Sequence, residues 1–234
     1  PLRLKDGRIA SLSSLRRRER EFGERVLDSF CERGVEIHGE CIISPFAKIG
    51  AGTVVLEGTR IDGGCVVGQG CTLGPNTLVS QSVIGDGCAV NSCQIYSSHL
   101  EKNVKMGPFC HIRPNCRIGE GAKIGDFVEV KNSVLGAGTH ISHLTYVGDS
   151  DVGQNVNFGC GCATANYDGI NKFRTTVGDN AFIGCGTSLV APVKIGNWGY
   201  TAAGSTITRD VPDYALAISR AREQTTIEDW VKRK

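Results

Sequence analysis

Residues 41–79 read CIISPFAKIGAGTVVLEGTRIDGGCVVGQGCTLGPNTLV, and an aliphatic side chain returns at every sixth position: Ile43, Ile49, Val55, Ile61, Val67, Leu73 and Val79. The series starts one step earlier, at Ile37. Gly often follows the aliphatic residue, as in Ile49-Gly50, Val67-Gly68 and Leu73-Gly74. A small residue stands four positions after it: Cys41, Ala47, Thr53, Thr59, Cys65, Cys71 and Thr77. A hexapeptide period predicts short strands, each sending one aliphatic side chain inward, separated by Gly-assisted corners. Three strands close a triangular coil of about 18 residues, and the coils stack by parallel strand pairing at about 4.8 Å.

Outward from that stretch the rhythm runs through Ile84 and Val90 and slips between Val90 and Leu100. It resumes at Met106, Ile112, Ile118, Ile124 and Val130, then steps by five to Leu135. Ile141 and Val147 follow, then a second step of five to Val152, and Phe158. After an interruption it returns at Val177, Ile183, Leu189, Ile195, Thr201 and Ile207. Residues 37–211 thus make about ten coils. The expected organisation is a helical linker over 1–34, the β-helix over 35–212 and a tail over 213–234.

Composition agrees with this plan. Aromatics are 6% of 234 residues against 40% hydrophobic, so the core is Val, Ile, Leu, Ala and Cys, and 31 Gly serve the turns. Seven of the eleven Cys (Cys41, Cys65, Cys71, Cys88, Cys110, Cys116 and Cys162) occupy the small position. They read as compact apolar residues in a reducing cytosol rather than as disulfides or metal ligands. Formal net charge is +2, and residues 1–34 hold nine Lys/Arg against six Asp/Glu, so the body is not basic and nucleic acid is not the expected partner. No apolar run approaches the roughly 20 residues of a membrane span, and no stretch reads as a signal peptide.

Before the repeat, Ile9, Leu12, Leu15, Phe22, Val26 and Phe30 recur at helical spacings. Arg16, Arg17, Arg18 and Arg20 lie between them as a solvated face, and Gly34 is the expected stop.

A solenoid loses pairing wherever it bulges, so breaks point to function. Thirteen residues separate Thr164 from Val177 where six suffice, and the excess includes Asn166-Tyr167-Asp168-Gly169 and Asn171-Lys172. Asp-Gly signals a turn, and the segment reads as a loop leaving the prism to cover a ligand. Arg113 and Lys131 stand where most coils put Gly, Asp or Ala, a pair suited to a phosphate. Among the five His, His38, His99, His111 and His140 have no evident companions, whereas His143 lies in HLTYVGD with Tyr146.

The repeat resembles the left-handed parallel β-helix acyltransferases, and the left hand is implied by that resemblance alone. From Pro108 to Arg220 the stretches GPFCHIRP, KIGDFVEVK, HLTYVGD, NYDGINKFRT, LVAPVKIG, AAGSTITRDVP and ALAISR stand in the order seen in one family. They resemble the acetyltransferase half of the bifunctional N-acetylglucosamine-1-phosphate uridylyltransferase/glucosamine-1-phosphate N-acetyltransferases, enzymes of UDP-N-acetylglucosamine and cell-wall synthesis. The segment Ile9–Val35 resembles the helix joining that family's halves, and the nucleotidyltransferase half is not part of this sequence. The resemblance implies a cytoplasmic homotrimer with sites between subunits. It implies acetyl-coenzyme A as co-substrate and glucosamine 1-phosphate as acceptor, with no metal in the transfer. It makes His143 the general base and gives Arg113 and Lys131 the sugar phosphate. Tyr146, Asn157 and Lys172 would hold the amino sugar. Cys160, Asn166, Tyr167, Cys185, Ala203 and Arg220 would meet acetyl-coenzyme A, with Arg222 adding charge. Where the family has GAGT this chain has Gly159-Cys160-Gly161-Cys162. Cys185 replaces a small hydroxyl residue, and Ala165 replaces the Cys before NYDG.

These residue types suit the chemistry. An ammonium cannot attack a thioester, and a His near neutrality can take the amine's proton as attack proceeds. Backbone N–H groups can meet the oxyanion. An acyltransferase of the same fold acting on another amino sugar or nucleotide sugar is the alternative. A hydratase resembling γ-type carbonic anhydrase would need three His on one metal. A catalytically dead trimeric scaffold would not need His143, Lys131 and Asn166.

Overall fold

The computed structural model describes residues 11–220; Ile9 and Arg222 lie outside the described residues. Helix α1 spans Leu12–Cys31. Ser11 caps its start, accepting a hydrogen bond from the Ser14 N–H at 3.2 Å. Gly34, at φ +82°, closes its end. The Gly34 N–H donates to the Cys31 carbonyl (2.9 Å) and the Val35 N–H to the Phe30 carbonyl (3.2 Å), the paired bonds of a left-handed helix stop. Val26 and Phe30 are buried against the first coils, so the helix covers the lower end of the prism. Leu12 and Phe22, expected on the same apolar stripe, are exposed, as is the Arg run.

From Glu36 to Ala217 the chain is a parallel β-helix with three faces of eleven, ten and nine strands. The first face starts with Glu36–Ile37, the second with Ile42–Ile43 and the third with Lys48–Ile49, and the chain visits them in that order. Each strand pairs in parallel with the one on the coil above, for example Ile37 with Val55 and Val55 with Leu73. Strands are two to four residues long. In the two-residue strands one side chain points in and its neighbour out, while Ser150–Val152, Thr175–Val177 and Val193–Ile195 bury both end residues, the first of them in the small position. From Ile43 to Ile207 every residue of the six-step series named above is buried. Fully burying one such side chain is worth about 1.5–3 kcal/mol, which is why the period is kept so strictly. Ile37, on the lowest coil, is only partly covered.

The slip after Val90 is two consecutive five-residue steps, through Ile95 to Leu100, both fully buried. Five-residue corners omit one position and turn on a single left-handed residue: Gln81, Ser92, Ser97, Asn132 and Asp149, with φ from 42 to 51° in Ser97, Asn132, Gln81, Asp149 and Ser92. The small position also does more than save space. Thr53 donates to the Gly68 carbonyl at 2.9 Å and accepts from the Cys71 N–H at 3.1 Å. Cys71, Cys88 and Cys162 donate to carbonyls of the next coil at 3.1–3.2 Å. Gly is required where coils touch: a Cβ at Gly119 would lie 2.6 Å from the Ala137 nitrogen. All eleven Cys are free thiols. The ladder extends past the expected end of the repeat, because Leu216–Ala217 pairs with Tyr200–Thr201. No helix among the described residues is long and apolar enough to cross a membrane.

Candidate active site

Val130 pairs with Ile112 and Val147, so the positions after them, Arg113, Lys131 and Gly148, form one column on the second face. Ala165 continues it. Glu129 and Tyr146 stand in the neighbouring outward column. Arg113 donates to Glu129 at 2.9 Å, and that contact is the main cause of its raised pKa. Tyr146 lies across Gly148: any Cβ there would collide with the phenol, so the glycine is what lets the ring lie flat along the face.

At the corner after this column the chain places Asp149 in the left-handed conformation, 5% exposed. Sequence reasoning took His143 and Tyr146 from HLTYVGD and missed this residue. Its signal was the polar side chain at a five-residue corner. Asp149 accepts from Asn132 at 2.5 Å and from the buried Asn166 amide. The Lys131 ammonium is 3.9 Å away. Burial pushes the Asp149 carboxyl up, but the two amides and the Lys131 and Lys172 charges outweigh it and hold it below the usual carboxylate value. Lys131 is held below the ordinary ammonium value, chiefly by Lys172 beside it, against the pull of Asp149. Lys131, Lys172 and Asn166 therefore meet around one buried carboxylate, with Arg113 one coil below.

The excursion of residues 166–174 supplies two members of this cluster. Its ends are fixed by the Phe173 N–H donating to the Asn166 carbonyl at 2.9 Å. Arg174 grips Asp151 with two hydrogen bonds, at 2.6 and 2.8 Å. Inside the loop Asp168 accepts from the Ile170 and Asn171 N–H groups at 2.8 and 2.6 Å, which lowers its pKa. Tyr167 and Ile170 at the tip are exposed.

His143 stands at the end of the first face, pairing with Asp126 below. Around the corner of Leu144 and Thr145 lies Tyr146, so the imidazole borders the second face. It is exposed and makes no side-chain hydrogen bond to another described residue. Continuing the pairing of Ile141 with Phe158 puts Cys160 directly above it. Cys185 and Ala203 follow in the same corner, tied by the Gly186 N–H to the Cys160 carbonyl (2.8 Å) and the Gly204 N–H to the Cys185 carbonyl (2.7 Å). All three are exposed. Asn157 is set apart: it lies at the far end of the first face, below Phe182. Arg220, the last described residue, lies beyond the strand that closes that face. A single chain therefore gathers the cations on one corner of the second face, His143 and the small-residue column on the other, and Asn157 with neither. Among the described residues no group of three or more His, Cys, Asp or Glu is disposed to hold a metal ion. His111 packs edge-on against Tyr96 at 5.8 Å, on a different face from His140 and His143.

Residues 94–189 match the family model for the GMPPB C-terminal domain, and residues 174–209 match that of the bacterial transferase hexapeptide repeats. The bifunctional protein GlmU of Caldicellulosiruptor saccharolyticus is 51% identical over 92% of this chain and 47% of its own length. That of Thermoanaerobacter pseudethanolicus is 50% identical over 92% of this chain and 48% of its own. The chain thus spans about half the length of the relatives it matches. Among solved structures, a UDP-N-acetylglucosamine acyltransferase from Campylobacter jejuni is 20% identical with a TM-score of 0.48, covering 79% of this chain and 71% of that one.

Proposed function

The chain is homologous to the C-terminal, acetyltransferase half of the GlmU proteins, and on that premise we propose that it moves the acetyl group of acetyl-coenzyme A to the amine of glucosamine 1-phosphate. The products are N-acetylglucosamine 1-phosphate and coenzyme A. The observation that carries the acceptor is the cluster of Lys131, Lys172 and Arg113 around Asp149. One buried carboxylate does not neutralise the two ammonium groups beside it, which hold the Lys131 pKa down, and Arg113, already paired with Glu129, stands one coil below. A phosphate dianion in that cluster relieves the repulsion and is gripped by charge-assisted hydrogen bonds. Asp149 itself touches no phosphate in this scheme; it fixes the Asn166 end of the loop.

With the phosphate at that corner, the sugar lies along Tyr146 toward His143. His143 accepts the proton as the amine attacks the thioester carbon; the C–S bond then breaks, and the departing sulfur takes that proton from the imidazolium and leaves as the thiol. The column of Cys160, Cys185 and Ala203 with its glycine corners offers a shallow track for the pantetheine arm, and its backbone N–H groups suit the oxyanion. Asn157 and Arg220 lie away from the cationic corner, which favours a site completed by a second copy of the chain. We therefore infer a homotrimer, working in a reducing cytoplasm that suits eleven free thiols.

The test is product formation from the two substrates, followed by mass spectrometry, with wild type and His143→Ala side by side. Turnover should fall by roughly 10²–10⁴ in the variant, the span of a lost general base. No product from folded wild type would overturn the acceptor assignment and direct the search to other amino sugars and nucleotide sugars.

A further inference from the structure

We propose that Leu144 limits the acyl chain to two carbons by standing as the floor of the donor track. The inference rests on the acyl-transfer reading above and adds the specificity of that site. In its upper six coils the corner between the first and second faces turns on a left-handed residue just before the second face. Going up the prism these are Phe109, Phe127, Leu144, Gly161, Gly186 and Gly204, with φ of 60, 57, 44, 74, 65 and 70°. The character of the column changes at His143. Above it the corner is glycine, flanked by Cys160, Cys185 and Ala203. A Cβ on Gly161 or Gly186 would find nothing nearer than the next glycine, at 3.9 and 3.8 Å, and one on Gly204 nothing within 4 Å. That is an open trough three coils long. Below it stand Phe109, Phe127 and Leu144, 59, 58 and 59% exposed. The two Phe rings stack at 5.4 Å. The trough therefore ends against an apolar wall, and Leu144 is its top course.

Two arguments tie that wall to the acyl group. A side chain in the left-handed region costs about 1–2 kcal/mol. Leu144 occupies a site where glycine would be easier, immediately after the residue assigned as base. The second argument is directional. A thioester carbon within reach of His143 carries sulfur toward the trough and the amine toward the second face. Its remaining carbon substituent then continues down the corner onto Leu144. Successive coils are only about 4.8 Å apart, room for a methyl and not for a longer chain.

The test compares acetyl-, propionyl- and butyryl-coenzyme A as donors for wild type, Leu144→Gly and Leu144→Met. Gly is favoured at φ +44°, so the first variant should fold; circular dichroism and light scattering establish that it does. The ratio of kcat/KM for butyryl to acetyl donor should rise by roughly 10–200-fold in Leu144→Gly, the worth of a methylene-sized clash. Leu144→Met, similar in volume, should keep the wild-type ratio. An unchanged ratio in folded Leu144→Gly of wild-type mass would overturn the inference and leave the acetyltransferase reading standing. Loss of transfer from every donor together with an altered mass would assign Leu144 to assembly and overturn it as well. Wild type that transfers no acetyl group at all would overturn both.

Discussion

Asp149 joins the fold to the chemistry through one carboxylate: it turns a corner, accepts two amide hydrogen bonds and faces two ammonium groups. Its pH signature follows from the sign of its shift. The folded-state pKa lies below the unfolded value, so its contribution is complete above the unfolded pKa near 4. It is lost as pH falls through the lower folded one. Between pH 5 and 3 wild type should therefore lose more stability than Asp149→Asn, measured by urea unfolding; parallel losses would mean that the carboxylate is not the linked group. Lys131→Ala should raise KM for the sugar phosphate far more than it lowers kcat, as expected for a group that binds phosphate rather than reacts. At Thr175, fully buried, the hydroxyl has no hydrogen-bond partner among the described residues. Thr175→Val should stabilise the protein by about 1 kcal/mol by removing an unsatisfied polar atom. A loss of stability would show that the hydroxyl is bonded in solution.

At the scale of the element, the unit is the corner as much as the strand. Inward positions were legible because each strand has one position that only an aliphatic or a close substitute fills. Ile95 was not, because two successive five-residue corners shift the frame twice and hide the period just where it has to be counted. Cys in the small position was legible as a compact side chain; its hydrogen bond to the coil above was not, because Thr, Ser and Cys share the position for different sequence reasons. The excursion at Asn166 was visible as seven surplus residues, and its clasp by Arg174 on Asp151 was not, since those residues are 23 apart. Asn157 was grouped with Lys131 by resemblance, and only the assignment of strands to faces separates them. Shortening Ile112, fully buried and next to Arg113, should destabilise by about 2–5 kcal/mol as Ile112→Ala, with the cavity cost added to the lost burial. Because strands pair only with their neighbours, the damage should centre on adjacent coils, which hydrogen exchange resolves.

For the whole molecule, the division of candidate groups among faces makes the assembly a functional matter. Light scattering should give three times the chain mass of 25.0 kDa. A monomer at micromolar concentration would remove the trimer from the proposal. A second whole-molecule reading concerns thiols. Cys160 and Cys185 are exposed beside His143, whereas Cys116 and Cys162 are buried, and burial pushes their thiols up. A chromogenic disulfide should therefore react first with exposed thiols in the native protein, and Cys160→Ala with Cys185→Ala should remove two of the fast equivalents.

The helix α1 rests on the lowest coil, and His143 stands on a coil part-way up a ladder of evenly spaced rungs. Separation along this axis is therefore digital. Excising residues 54–71 would join Thr53 to Thr72 and drop one rung, since Val54 and Thr72 are paired equivalents. That would bring the helix nearer the active corner by a single increment of about 4.8 Å without altering either end. Lineages of such a chain can change their reach by whole rungs, as a ladder is lengthened, while half-rungs are closed to them.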